Sequence, residues 1–124
     1  MNKITFGLIV GNRGCFPDSL AQQGRKEMAD VLSRTGFGCV VLDENQSKGG
    51  AIETFAEAKK CAELFKANAD KIDGIIVTLP NFGDEKGVLE TIKHAGLGVP
   101  ILIQAEPDDN KKMTREHRRD SFCG

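Results

Sequence analysis

An α/β fold built on a parallel sheet is what this sequence predicts, and three observations carry the prediction. Short, nearly continuous apolar runs recur four times, and three stretches with helical apolar spacing lie between them. Gly, Pro or Asp marks nearly every junction. A strand buried on both faces reads as an unbroken apolar run, because helices cover a parallel sheet from both sides. Regular alternation of the two patterns points to right-handed β-α-β crossovers.

The first strand is expected from Ile4 to Val10, with Phe6, Leu8 and Ile9 inside the run, and it ends abruptly at Gly11. Gly11 to Asp18 is a loop rich in turn formers. Asp18 or Ser19 is expected to cap the helix that follows, since their side-chain oxygens accept from its free N–H groups. Leu20, Gly24, Met28, Val31 and Leu32 make one apolar stripe along that helix, with Gln22, Gln23, Arg25 and Lys26 off it. A glycine costs helix stability, so Gly24 implies close packing on the sheet. Gly36 ends the helix. Phe37 to Leu42 is the second strand and Asp43 to Gly50 a polar loop. Thr54 can cap a second helix that carries Phe55, Ala58, Ala62 and Phe65 on one face. Gly74 to Leu79 is the third strand, closed by Pro80. Asp84 to Ala95 is the third helix, with Val88, Leu89 and Ile92 facing inward, and it stops at Gly96. Pro100 to Ala105 is the fourth strand. The expected strand order is 2-1-3-4, a flavodoxin-like (Rossmann-like) three-layer arrangement.

After Gln104 the pattern stops. Glu106 to Arg119 is almost wholly polar and offers no apolar stripe for a fourth covering helix, which leaves the fourth strand bare on one flank. Residues 1–124 are therefore expected to form one α/β domain; the polar stretch reads either as a frayed terminus or, the preferred expectation, as a sign that this is the N-terminal part of a polypeptide that continues beyond Gly124.

Composition narrows the function classes. A chain of 124 residues with 40% hydrophobic content can bury a core without disulfide or metal staples. The 17 Lys and Arg against 18 Asp and Glu leave a net charge of -1, which argues against the broad basic field of a nucleic-acid protein. The Ile4–Val10 run is too short to span a bilayer and lacks a signal-peptide cleavage pattern, so the expectation is a cytoplasmic protein without a membrane partner. Cys15, Cys39, Cys61 and Cys123 are far apart with no C-x-x-C spacing, poor zinc chemistry and a poor disulfide framework. Cys39 and Cys61 sit in apolar runs as small buried hydrophobes.

In an open parallel sheet, ligands bind beyond the carboxyl ends of the strands, where the strand order reverses. Here that point lies between the first and third strands. The loops meeting there are Gly11 to Asp18, with Asn12, Arg13 and Phe16, and Pro80 to Glu85, with Asn81, Phe82, Asp84 and Glu85. Gln104 and Glu106 follow the fourth strand nearby. Amides, carboxylates and one Arg among aromatic rings suit a polyhydroxylated ligand, because each sugar hydroxyl both donates and accepts and sugar C–H faces pack on rings. Other chemistry is weaker. Gly11-x-x-Gly14 is only a fragment of a dinucleotide fingerprint. His94 reads as an exposed residue near a helix end, and His117 as a solvated one. Asp108-Asp109-Asn110 lacks the alternating spacing of a calcium loop. No catalytic or metal-ligating set is assigned within the chain.

Three stretches carry a family resemblance: Gly7-Leu-Ile-Val-Gly-Asn-Arg-Gly14, Ile75-Ile-Val-Thr-Leu-Pro-Asn-Phe-Gly83 and Arg119-Asp-Ser-Phe-Cys-Gly124. Together they resemble the N-terminal domain of the L-fucose and L-arabinose isomerase superfamily, nearest to its fucose-isomerase-like members, over essentially the whole chain. The resemblance implies an aldose–ketose isomerase acting on a small sugar such as L-fucose or L-arabinose. It implies a divalent metal, typically manganese (Mn2+), and two carboxylates that move a proton through an enediol, with the metal ligands in later parts of the family chain. It also implies that this domain helps to bind substrate at a subunit boundary of a homo-oligomer. Position by position, Arg13 falls where arabinose isomerases place a glutamine, Phe16 where they place a tyrosine, and Asp120 near another pocket glutamine. Those departures leave the sugar open. The expected substrate-binding residues are Asn12, Arg13, Phe16, Asn81, Phe82 and Asp120. The alternative is a stand-alone flavodoxin-like module that binds a small polar ligand or regulates without turning it over. An isolated 124-residue chain is expected to be inactive as an isomerase.

Overall fold

A computed structural model describes residues 2–123. Four strands, β1 (Thr5–Val10), β2 (Gly38–Val41), β3 (Gly74–Leu79) and β4 (Ile101–Ala105), are connected by three helices, α1 (Asp18–Arg34), α2 (Phe55–Ala67) and α3 (Glu85–Ala95). All strand pairs are parallel and the order is β2-β1-β3-β4, the expected flavodoxin-like arrangement. β3 is buried along its whole length, as an unbroken apolar run demands of an interior strand. β1 begins one residue later than its run, leaving Ile4 exposed, and β2 at the sheet edge is trimmed at both ends.

The pleat sorts the core into two layers. Ile9, Ile75 and Val77 face α2 and α3, where they meet Ala58, Cys61, Ala62, Phe65 and Ala95. Leu8, Val10 and Ile76 face α1 and meet Ala21 and Leu32. Two glycines set how closely the layers approach. A Cβ on Gly7 would lie 2.9 Å from the Phe65 ring, and one on Gly24 would lie 2.3 Å from the Pro80 ring. The close packing expected of Gly24 is thus present, and its partner is the proline that closes β3.

The helix ends follow local chemistry. Thr54 and Glu57 form a reciprocal capping box on α2: Thr54 Oγ1 accepts from the Glu57 amide at 3.2 Å, and Glu57 Oε1 accepts from the Thr54 amide at 2.9 Å. Asp84 caps α3 by accepting from Gly87 N at 2.9 Å. Gly36 and Gly96, with φ of 85° and 60°, end α1 and α3. The cap expected on α1 is absent. Pro17 occupies that position without a side-chain bond, because Asp18 is already the first helical residue and its carboxylate is engaged elsewhere.

Three apolar residues expected inside lie outside. Val31 is exposed on α1, Phe55 is exposed at the first turn of α2, and Leu89 of α3 is 59% exposed. Leu89 lines a groove of about 260 Å³ with Val77, Leu79, Val88, Ile92 and Ile103. The groove is open because nothing among the described residues covers the β4 flank, where Leu102 and Ile103 are 62% and 66% exposed. Phe55 meets the edge of His94, with ring centroids 5.6 Å apart.

The polar tail forms no helix, yet it is anchored. Both oxygens of Asp108 accept backbone N–H groups, from Arg119 at 2.7 Å and Asp120 at 3.0 Å. Arg119 Nη1 donates to the Pro80 carbonyl at 2.7 Å, and Ser121 behind it is buried. The segment between Glu106 and Asp120 is therefore a loop pinned to the carboxyl end of β3.

All four cysteines are free. Burial pushes the Cys61 thiol up to about 12. It also raises Cys39, with the Arg25 charge pulling partly the other way. A raised thiol pKa means less thiolate at a given pH, so Cys61 holds on the order of a thousand-fold less nucleophile than an ordinary thiol. Mass-resolved alkylation of the native chain at pH 8 should label the exposed Cys15 and Cys123 and leave Cys61 untouched until denaturant is added.

Candidate functional site

The carboxyl ends of β1 and β3 bring the two expected loops into backbone contact. Gly11 N donates to the Thr78 carbonyl at 3.0 Å. A Cβ on Gly11 would fall 3.5 Å from Gly83 Cα, and Leu79 Cδ2 fills the space beside both glycines. A Cβ at either position would first meet the tip of Leu79, at 2.7 Å from Gly11 and 2.6 Å from Gly83, so the leucine would have to turn aside.

Two buried asparagines fasten this junction. Asn12 is 1% exposed and Asn81 0%. Asn81 Nδ2 donates to the Pro17 carbonyl at 2.9 Å, tying the loop after β3 to the loop after β1. Asn12 Nδ2 donates to Asp18 Oδ1 at 3.1 Å and to Glu53 Oε1. The Lys48 ammonium meets the other Asp18 oxygen at 2.7 Å. This hydrogen bond, and then the Asp18 charge, raise the Lys48 pKa, with Glu53 and Glu57 adding to the effect. The Oδ1 atoms of both asparagines are buried with no protein partner. Buried polar atoms are nearly always satisfied, and a buried water is the ordinary donor to such an enclosed acceptor.

Outside this polar knot lies an aromatic shelf. Phe16 and Phe82 stack with ring centroids 5.3 Å apart and planes 16° from parallel. The Arg13 guanidinium lies over the Phe82 ring, 4.7 Å from its centroid. Arg13 is held by a ring and, among the described residues, by no carboxylate. Its forked donors therefore stay available. Loop residues from distant parts of the chain thus form a donor arm, two ring faces and two buried amides within one small region.

Of the six residues expected to bind substrate, Asn12, Arg13, Phe16, Asn81 and Phe82 meet at this junction, the asparagines inside it and the other three on the shelf. Asp120 arrives on the anchored tail, with φ of 50°, and pairs with Arg118. Asp84 serves as a helix cap. Gln104 Oε1 accepts from the buried Thr78 hydroxyl at 2.6 Å, and Glu106 faces Arg119 at 3.7 Å. Sequence patterns missed Glu53, Lys48 and the Asp108–Arg119 anchor. Their partners are 30 or more residues away or lie within an irregular loop, so no local spacing marks them.

The polar knot does not suit the divalent metal that the resemblance implies. Asn12 points donor N–H groups at both carboxylates and Lys48 already neutralises Asp18, so lone pairs that would face a cation are spent on protein donors. Among the described residues no group of three or more His, Cys, Asp or Glu is arranged to hold an ion. Nor, among them, is any helix long and apolar enough to cross a membrane. What the arrangement offers chemically is a guanidinium donor beside two stacked aromatic faces.

Compared with known families, residues 7–124 match the model of a family described as fucose/sulfoquinovose isomerase, N-terminal domain. No curated protein and no solved structure matches the chain.

Proposed function

The chain belongs to the fucose/sulfoquinovose isomerase N-terminal domain family, and from that premise we propose that it is the substrate-binding and subunit-contact domain of an aldose–ketose isomerase. The observation that carries the proposal is the family match over residues 7–124. The convergence of Arg13, Phe16 and Phe82 over two buried asparagines gives that match a physical form. In this reading Arg13 donates to ligand oxygens, the Phe16–Phe82 shelf receives the C–H face of the sugar, and Asn12 and Asn81 keep the two loops in register. Isomerisation requires an electrophile on the sugar oxygens and a carboxylate base beside the migrating proton. Manganese and the acid/base pair would come from segments of the isomerase beyond this domain, since the residues here do not fit the metal. The bare row Ile101, Leu102 and Ile103 beside Leu89 supports a contact with those segments or with another subunit of a homo-oligomer.

Arg13→Ala in the isomerase tests the proposal. Loss of up to two charge-assisted hydrogen bonds, each about 1.5–3 kcal/mol, should lower kcat/KM at least about tenfold. The melting temperature should fall only modestly, because Arg13 and Phe82 are half-buried and a cation–π contact there contributes about 0.5–2 kcal/mol. Kinetics within about twofold of the parent would remove Arg13 from the site.

A further inference from the structure

β4 ends the sheet with a strand edge that nothing blunts. Among the described residues it pairs only with β3. Ile75 N donates to the Pro100 carbonyl at 2.9 Å, and Glu106 N to the Leu79 carbonyl at 3.3 Å. Residues 100 and 106 thus turn these groups inward, and the alternation of the ladder turns the N–H and C=O groups of Ile101, Ile103 and Ala105 outward. Edges that stay unpaired are usually blunted by a charge, a proline or a bulge. Ile101–Ala105 carries none of these, and Ile103 is 66% exposed. Beside this edge runs the outer face of α3, where Glu85 and Leu89 border the open groove over Ile103. Glu85, Leu89 and Lys93 follow one another at four-residue spacing, so they form one row along the helix, and all three are exposed. The row reads acid, apolar, base from the amino to the carboxyl end. Among the described residues neither Glu85 nor Lys93 takes part in an ion pair.

We infer that β4 pairs antiparallel with β4 of a second copy of this chain, about a two-fold axis at Ile103, and so joins two sheets into one. With the axis there, Ile103 exchanges both backbone bonds with Ile103 of the other copy, and Ile101 does so with Ala105. A two-fold contact has to be complementary to itself, and the α3 row meets that condition. α3 runs opposite to the strand it feeds, so antiparallel β4 strands set the two α3 helices antiparallel as well. Leu89 then meets Leu89 across the axis, above the two Ile103 side chains, and Glu85 of each copy stands beside Lys93 of the other. The acidic first turn of each helix lies along the basic last turn of its neighbour, an alignment the helix dipoles also favour. A parallel alignment would set like charges together. A second copy is the occupant this pattern selects, because an unrelated apolar strand would cover Ile103 and leave the charges at both ends of the row without partners. The contact so defined belongs to the subunit-contact role proposed above and is independent of the sugar site.

Sedimentation equilibrium of the chain at rising concentration should show a monomer–dimer equilibrium, and amide hydrogen exchange should locate the contact. Protection at Ile103 and Ala105 should rise with concentration, while the Leu102 and Gln104 amides, turned toward β3, stay unchanged. Ile103→Lys should give a monomer of unchanged circular dichroism, because the site is exposed in a single copy and two ammonium groups would meet at the axis. Glu85→Lys should weaken dimerisation at least about threefold at low salt, and the double variant Glu85→Lys, Lys93→Glu should restore it, since both members of each pair then change sign together. A chain that stays monomeric up to about 1 mM, or a dimer that survives Ile103→Lys, overturns the inference. Protection at Ile103 and Ala105 that does not depend on concentration also overturns it and assigns the edge to something other than a second copy. A double variant that dimerises as weakly as Glu85→Lys refutes the antiparallel α3 pairing. No sugar enters these measurements, so the sugar site is decided separately by Arg13→Ala.

Discussion

Phe65→Ala should lower the melting temperature by roughly 10–20 °C, corresponding to about 3–5 kcal/mol for truncating a fully buried aromatic. Phe65 is 0% exposed and its ring occupies the space left by the missing side chain of Gly7 in β1. No neighbour on the strand can fill the void, because the residue facing it is a glycine. The cavity therefore stays open and its full cost is felt. Chemical denaturation should show a lower midpoint with an unchanged slope. A loss below about 1.5 kcal/mol would mean that α2 collapses onto β1, contrary to the packing described here.

Gly24→Val should be nearly as damaging, by about 3 kcal/mol. The first added carbon alone would sit 2.3 Å from Pro80 Cγ and 2.6 Å from its Cβ. A proline ring cannot rotate away, so α1 must lift from the sheet. Gly24→Ala serves as the internal control. Alanine gains about 1 kcal/mol of helix propensity over glycine, so a stabilised Gly24→Ala protein would show that the contact yields easily. The expected result is that both variants melt below the parent, valine furthest. Because Pro80 precedes Asn81, whose Nδ2 holds the first loop, the same substitutions should loosen the proposed sugar site, and affinity for an aldose should fall with stability.

The parts of the molecule legible in the sequence are those set by local pattern. The runs around Leu8 and Ile76 had to be strands buried on both faces, and Gly36 had to stop a helix. Gly24 could be tolerated in mid-helix only against a close neighbour, which proved to be Pro80. Periodicity failed at Leu89 and Phe55 because a helix stripe shows which residues share a face and not whether anything lies opposite. The Leu89 face looks onto the bare β4 flank. The capping role expected of Asp18 failed for a related reason. Its carboxylate has competing partners in Asn12 and Lys48, 6 and 30 positions away. Of the site, the two loops were legible because the reversal of strand order singles out one pair of strand ends. Glu53 and the Asp108 anchor were not, since each acts through the folded path of the chain.

The junction of the loops after β1 and β3 is proposed to receive a sugar. Amide chemical-shift mapping of the chain during titration with aldoses tests it most directly. Saturable shifts are expected at Asn12, Arg13 and Phe16 and at Asn81 and Phe82, with the amino ends of the strands near Ile4 and Pro100 silent. Shifts clustered at Ile4 and Pro100, or none at any aldose concentration, would contradict it.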